Sequence, residues 1–308
     1  MAASNRLATG PTKTGSAKTG SATGASTAAG STAGAAAAGA AAAGAADARV
    51  RRAAGAVNLV GGGPGAVGLM TVSAVAALNR ADVVLFDRLA PNENLALLAP
   101  VATLIDVGKR AGNHPVSQSE IEELMVEHAL AGRRVVRLKG GDPYIFGRGS
   151  EEVLACHRNG IAVSVISGVT SAIAVPAAAG IPLTHRGMSH AFTVISGHAP
   201  LTENELEGLA LLDSTIVVLM GVGTLPTLTQ GLLRHGMPAN LPAAIIERGF
   251  SASQRTTIST LSTVLVDAAV AGVASPAVLV IGTVVRLAFS GDAEAKDLVT
   301  RAAAYTAA

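Results

Sequence analysis

The chain contains no tryptophan, two tyrosines, five phenylalanines and one cysteine in 308 residues. A single Cys156 excludes any disulfide within the chain and suits a reducing compartment. It precedes His157 in a helix-forming stretch, where packing is the ordinary role and nucleophilic or metal chemistry a rare one. No apolar run reaches the length of a membrane span, and the alanine-rich amino end lacks the strongly hydrophobic stretch of a secretory signal. Clustered Cys and His, an HExxH spacing and an identifiable Ser, His and Asp arrangement are also missing, so no metal is expected. A soluble, cytoplasmic protein is the expectation.

Large apolar residues are absent between Leu7 and Val50, where the chain is almost entirely Ala, Gly, Ser and Thr. Residues 1–54 are therefore predicted to form a disordered low-complexity tail, because they bury too little apolar area to offset their ordering entropy. The same acid-poor composition would suit an organelle transit peptide, which keeps an organelle matrix open as the alternative location. The net charge of +2 is unevenly spread. Arg6, Lys13, Lys18, Arg49, Arg51 and Arg52 face only Asp47 in the tail, which leaves the remainder near −3. Nucleic acid binding would rest on a tail without aromatics, so neither nucleic acid nor membrane is expected as a partner.

From Val57 onward, short β-branched runs alternate with helical stretches, the pattern of α/β architecture with mostly parallel sheets. The runs VNLV (57–60), DVVLF (82–86), TLIDV (103–107), RRVVRL (133–138) and IAVSVI (161–166) form a first series. Helices are predicted from near Thr71 to Asn79, from Ser117 to Gly132, and before Gly160. Ser117 with Glu120 three residues on reads as a capping box, and glycine is the expected stop. A second series follows: FTVIS (192–196), TIVVLM (215–220), AAIIE (243–247), QRTTIS (254–259) and AVLVIG (277–282), with helices over 203–210, 224–235 and 261–271. The polar segment 188–191 separates the two, giving α/β domains over 55–187 and 188–290 and an extension over 291–308. Two such domains leave a cleft, and ligand sites form beyond the carboxyl ends of strands, where the glycine-rich segments fall.

VGGGPGAVG (60–68) follows a strand, but Pro64 removes a backbone donor that a pyrophosphate would use. On its own residues the loop is equally a tight turn or a ligand-facing one. GGDPYIFGRG (140–149) is richer, because its glycines allow close backbone approach while Asp142 and Arg148 need partners if buried. An ordinary turn with an Asp–Arg pair is the plain alternative. Asp87 and Arg88 end the second strand, and Lys109 and Arg110 follow the third. These charges could move protons or pair on the surface, and spacing alone favours the surface. His185 and Arg186 stand at the domain junction, where they could meet an anion or cap the linker.

Taken in order, GGGPGAVGLMT, DVVLFDRL, VGKRAGNH, VVRLKGGDPYIFGRG, SGVTSAIAVPAAAGIPLTHRG, VLMGV and ERGFSASQR resemble the uroporphyrinogen-III C-methyltransferases, a family within the tetrapyrrole methylases, over about residues 56–290. The resemblance implies the tetrapyrrole methylase fold, with S-adenosylmethionine held folded between two α/β domains. It also implies methylation of uroporphyrinogen III at C2 and then C7, giving precorrin-2 for sirohaem or cobalamin, by a homodimer. Matched motif by motif, the cofactor contacts fall on Pro64, on Gly140, Gly141 and Asp142, on Ile145, on Thr170 and Ser171, on Met220 and on Gly249. The family's proton acceptor falls on Asp87 and its proton donor on Lys109. Given a substrate with eight carboxylates, Arg88, Lys109, Arg110, Arg148, His185 and Arg186 are the candidates to bind it.

Two positions depart from the family pattern. Ala66 stands where an acidic residue is usual, and Ser167 where many members have proline. Longer members also carry an amino-terminal domain that oxidises the product and inserts iron; the tail here holds nothing of that kind, so methylation alone is expected. A methylase of a later corrin precursor and a non-catalytic sensor of either ligand are the rival readings.

Overall fold

Residues 55–108 and 116–288 are described by this structure, a computed structural model. The expected tail (1–54) and extension (291–308), and with them Lys109 and Arg110, lie outside the described residues.

The first series of elements is β1 (Ala56–Gly61), α1 (Val72–Asn79), β2 (Val83–Phe86), α2 (Leu95–Leu98), β3 (Thr103–Asp106), α3 (Gln118–Leu130), β4 (Val135–Lys139), α4 (Gly149–Arg158) and β5 (Ala162–Ile166). Its five strands pair in the order β3-β2-β4-β1-β5, every pair parallel. Strands β2 and β4 are buried along nearly their whole length because helices cover both faces, although β4 carries Arg137 and Lys139. On one face, Ile121, Met125 and Ala129 of α3 pack with Val57, Leu59, Val83 and Leu85. On the other, Ala74, Ala77 and Leu78 of α1 meet Val60, Val84, Val136 and Leu138.

Helix starts fall where the side chains can cap them. The Thr71 hydroxyl accepts from Ala74 N at 3.2 Å. Ser117 and Glu120 form the reciprocal box, with bonds of 3.2 and 2.6 Å. Such a cap contributes about 1 kcal/mol. Cys156 is fully buried in the α3 face of the core, and burial pushes its thiol up to about 11, so at neutral pH it is a packing group.

The chain then forms α5 (Ser171–Ala178), followed by β6 (Phe192–Ser196), α6 (Glu203–Leu211), β7 (Thr215–Leu219), α7 (Leu225–Arg234), β8 (Pro242–Glu247), β9 (Arg255–Thr260), α8 (Val264–Ala271) and β10 (Ala277–Ile281). The second sheet has the order β6-β7-β10-β8-β9. Only β6 and β7 are parallel there; β10 runs antiparallel to both β7 and β8, and β8 to β9. Parallel pairs prevail over the two sheets together, but this sheet is mixed. The reason is local: the link between β8 and β9 covers residues 248–254, too short for a crossover helix, so the two strands close as a hairpin.

Helix α5 was not among the helices expected from the pattern. Its Ala172 and Val175, with Ala179 just beyond, pack on Val217, Leu219, Ala244 and Ile246 of the second sheet, although it precedes residue 187. The opposite face of that sheet is covered by α6, α7 and α8 through Leu206, Leu228, Leu232, Val264 and Ala268. No described helix is long and apolar enough to cross a membrane.

Candidate active site

The loops leaving β1, β4 and β5 meet backbone to backbone. Gly63 and Gly141 form an isolated antiparallel bridge. A side chain on Gly168 would stand 2.3 Å from Gly141 O and 2.7 Å from Gly61 Cα, so the three loops pack at a distance that only glycine permits. Asp142 braces the junction: one carboxylate oxygen accepts from Gly168 N at 3.1 Å, the other from Tyr144 N at 2.8 Å. A Cβ on Gly141 would lie 3.8 Å from Ser171 N and Thr170 Cα, and the Thr170 hydroxyl caps α5 by accepting from Ala172 N. Gly140, Gly141, Asp142, Thr170 and Ser171 are therefore brought together.

Of the remaining cofactor candidates, Pro64 and Gly249 come close to each other from the two sheets. Pro64 is half-buried in the first glycine loop, and a Cβ on its neighbour Gly65 would stand 3.9 Å from Gly249 O. A Cβ on Gly249 would in turn meet Val175 Cγ2 at 2.6 Å. Among the described residues, five non-glycine ones adopt left-handed backbone: Phe146, Arg148, Met220, Arg248 and Phe250. Each costs about 1–2 kcal/mol, and they flank or coincide with Ile145, Met220 and Gly249. Tyr144, Ile145, Ile173 and Met220 keep large apolar side chains exposed. Fully buried Glu247 holds the Gly249 turn from beneath, accepting from Ala274 N, Arg248 and Arg255 at 2.7–3.2 Å.

Asp87 ends β2 in a turn. Its Oδ1 accepts from Leu89 N and Ala90 N at 3.1 and 3.2 Å, while Oδ2 faces Arg137 Nη2 at 3.4 Å. Arg137 is buried and donates its Nε to Glu152 Oε1 at 3.0 Å, the atom that Lys139 Nζ also reaches at 3.0 Å. Burial, with the like charge of Arg137 beside it, holds the Lys139 ammonium below its ordinary value. Removing one member of such a buried set costs about 3–5 kcal/mol, because its partner is left desolvated and uncompensated.

The substrate candidates are scattered by comparison. Arg88 is exposed in the Asp87 turn, and a Cβ on Gly108 would lie 2.9 Å from Arg88 N, so Gly108 packs against that turn. Arg148 pairs with Glu151 through two bonds of 2.9 and 2.6 Å, not with Asp142. His185 and Arg186 are exposed at the tip of a tight turn closed by His185 and Ser189. No hydrogen bond or ion pair ties them to the glycine loops among the described residues.

Residues 56–265 match the model of the tetrapyrrole (corrin/porphyrin) methylases. The chain belongs to that family. Among tetrapyrrole methylases it is 46% identical over 237 residues to the chloroplastic S-adenosyl-L-methionine-dependent uroporphyrinogen III methyltransferase of Arabidopsis thaliana, covering 76% of this chain and 64% of that one. It is 45% identical to the enzyme of that name from Methanosarcina barkeri, covering 93% of its length. The chain spans about half the length of the siroheme synthases it matches. The Thermus thermophilus uroporphyrin-III C-methyl transferase solved with S-adenyl homocysteine superposes with a TM-score of 0.63 at 41% identity, over 76% of this chain and all of that one.

Within the tetrapyrrole methylase framework, the motif reading overlooked Arg137, Lys139 and Glu152. A signal was present. Arg137 and Lys139 sit two apart in a strand read as buried, so they share one face and demand a buried counter-ion.

Proposed function

We propose that the chain transfers methyl groups from S-adenosylmethionine to C2 and C7 of uroporphyrinogen III, giving precorrin-2. What carries the reading is the convergence of the Gly61, Gly141 and Gly168 loops, with the Gly249 turn next to Gly65 of the first of them. A bay of bare backbone suits a flat nucleoside bearing a sulfonium arm that carries no phosphate. Pro64, which cannot donate, argues against a phosphate there. The residues thus fit the cofactor, which supplies an electrophilic methyl when bound.

In this reading Gly140, Gly141, Asp142, Thr170 and Ser171 hold the cofactor through their backbones, while Pro64, Ile145, Met220 and Gly249 close around it. Each transfer brings one positive charge to the tetrapyrrole, so one proton must leave. Asp87 is read as the group that accepts it, and Lys109 as a donor that returns a proton at one ring position only when another is lost elsewhere on the tetrapyrrole. Arg88, Arg110, Arg148, His185 and Arg186 are read as contacts for the substrate carboxylates. The two α/β domains, 55–187 and 188–290, meet at this bay, and the assembly is read as a homodimer of the cytoplasm, or of an organelle matrix if the tail directs it there.

Purified protein incubated with uroporphyrinogen III and S-adenosylmethionine should yield product heavier by two methyl groups in mass analysis. Methylation only of a later corrin precursor offered in its place, or binding of both ligands without turnover, would overturn the reading.

A further inference from the structure

Four charges meet at the carboxyl ends of β2 and β4. Arg137 and Lys139 project from the same face of β4, and both are buried. They share one acceptor, Glu152 Oε1, at 3.0 Å each, and Gln118 Nε2 adds a third donor at 3.3 Å. A single carboxylate cannot balance two buried cations. The remaining negative charge is Asp87, whose Oδ2 lies 3.4 Å from Arg137 Nη2. Arg137 is itself fixed at three points, since its Nη1 donates to Leu138 O at 2.9 Å and approaches Leu85 O at 3.5 Å. The cofactor loop joins the same assembly: a Cβ on Gly140, next to Lys139, would stand 2.7 Å from Leu89 O in the Asp87 turn.

We infer that Arg137 is a positioning residue for Asp87: clamped by Glu152 and two strand carbonyls, its guanidinium fixes where the Asp87 carboxylate points relative to the glycine loops. This rests on the reading of Asp87 as proton acceptor. Arginine is suited to the task because its planar fork reaches Glu152 and Asp87 with different nitrogens, whereas a lysine offers one point charge. The Asp87 turn supplies the second constraint through Leu89 N and Ala90 N, which leaves the Oδ2 side to be set by Arg137 alone among the described residues. Sub-ångström placement of a proton-transfer group is where such a clamp acts on rate.

The test is a double-mutant cycle in the full chain, read as kcat, KM for uroporphyrinogen III, the dissociation constant of S-adenosylmethionine and melting temperature. Arg137→Gln is expected to lower kcat about tenfold while cofactor binding stays near that of the parent. Arg137→Lys keeps the buried charge and so keeps the fold, but loses the two-ended fork; it should show most of the same loss. In an Asp87→Ala background neither change should lower kcat further. Losses in kcat that multiply in that background, or a fully active Arg137→Lys, would overturn the inference while leaving Asp87 intact. Full turnover in Asp87→Ala alone would instead remove the reading on which it rests, and the inference with it.

Discussion

Gly63 and Gly141 exchange both of their backbone hydrogen bonds, at 3.2 Å in one direction and 2.7 Å in the other, although 78 positions apart in the chain. Both have positive φ, so neither place favours a side chain. The pair ties the loop after β1 to the loop after β4, and Gly168 seals it from the β5 side. Cofactor affinity should therefore depend on contacts that no charged residue makes.

Gly168→Ala places a Cβ 2.3 Å from Gly141 O, which has no side chain to yield. It should destabilise the protein by about 3 kcal/mol and abolish S-adenosylmethionine binding. Gly160→Ala is the comparison: its φ of +66° is left-handed, as that of Gly168 is not, and nothing lies within 4 Å of an added Cβ. That change should cost about 1 kcal/mol and leave binding untouched. Calorimetry on both variants separates crowding from backbone strain, and equal effects would contradict the packing described.

Gly249→Ala meets a side chain, Val175 Cγ2 at 2.6 Å, rather than backbone. The crowding can relax if the valine is shortened. Gly249→Ala should raise the cofactor dissociation constant about tenfold, and Gly249→Ala with Val175→Ala should recover much of it. Isothermal titration of the single and double variants checks this; an additive loss would rule out the steric account.

Asp82 joins the starts of β2 and β4 by accepting from Arg134 N at 2.7 Å and from its guanidinium at 3.0 and 2.7 Å. These bonds hold the Asp82 carboxyl down at about 2, below its unfolded value. A depressed pKa means stability that is full above about pH 4 and lost as pH falls towards 2. Both side chains are partly exposed, so the contribution at neutral pH is about 0.5–1 kcal/mol. Melting curves of the parent and Asp82→Asn should differ at pH 7 and converge near pH 2; a pH-independent difference would refute the assignment.

Arg186 is exposed and forms no ion pair with another described residue. If it meets a substrate carboxylate, Arg186→Ala should raise KM for uroporphyrinogen III several-fold, leave S-adenosylmethionine binding unchanged, and flatten the loss of substrate affinity with added salt. Lower melting temperature with both ligands weakened together would mark it as a packing residue.

The strand and helix series were legible from periodicity because β-branched runs and caps act over a few residues. Thr71 and the Ser117–Glu120 box mark helix starts in the sequence and in space. The glycine motifs were equally legible, since a backbone that must approach another backbone has no substitute for glycine at Gly61 and Gly168, and the left-handed turn at Gly141 favours it as well. Helix α5 escaped because Pro176 and a run of alanines give it no amphipathic stripe; it is apolar nearly all round, as a helix wedged between layers must be.

Sequence by itself determined the alternation of elements, the glycine loops at the strand ends and the family. Tertiary structure decided which sheet α5 covers, that β10 inserts antiparallel between β7 and β8, and that Arg148 pairs with Glu151 while Asp142 serves backbone donors. It also decided that Arg137, Lys139 and Glu152 close into one buried cluster against Asp87. The division has a physical reason: caps, turns and periodicity act over neighbouring residues, whereas a buried charge takes the partner that the packed strands and helices bring to it, however distant in sequence.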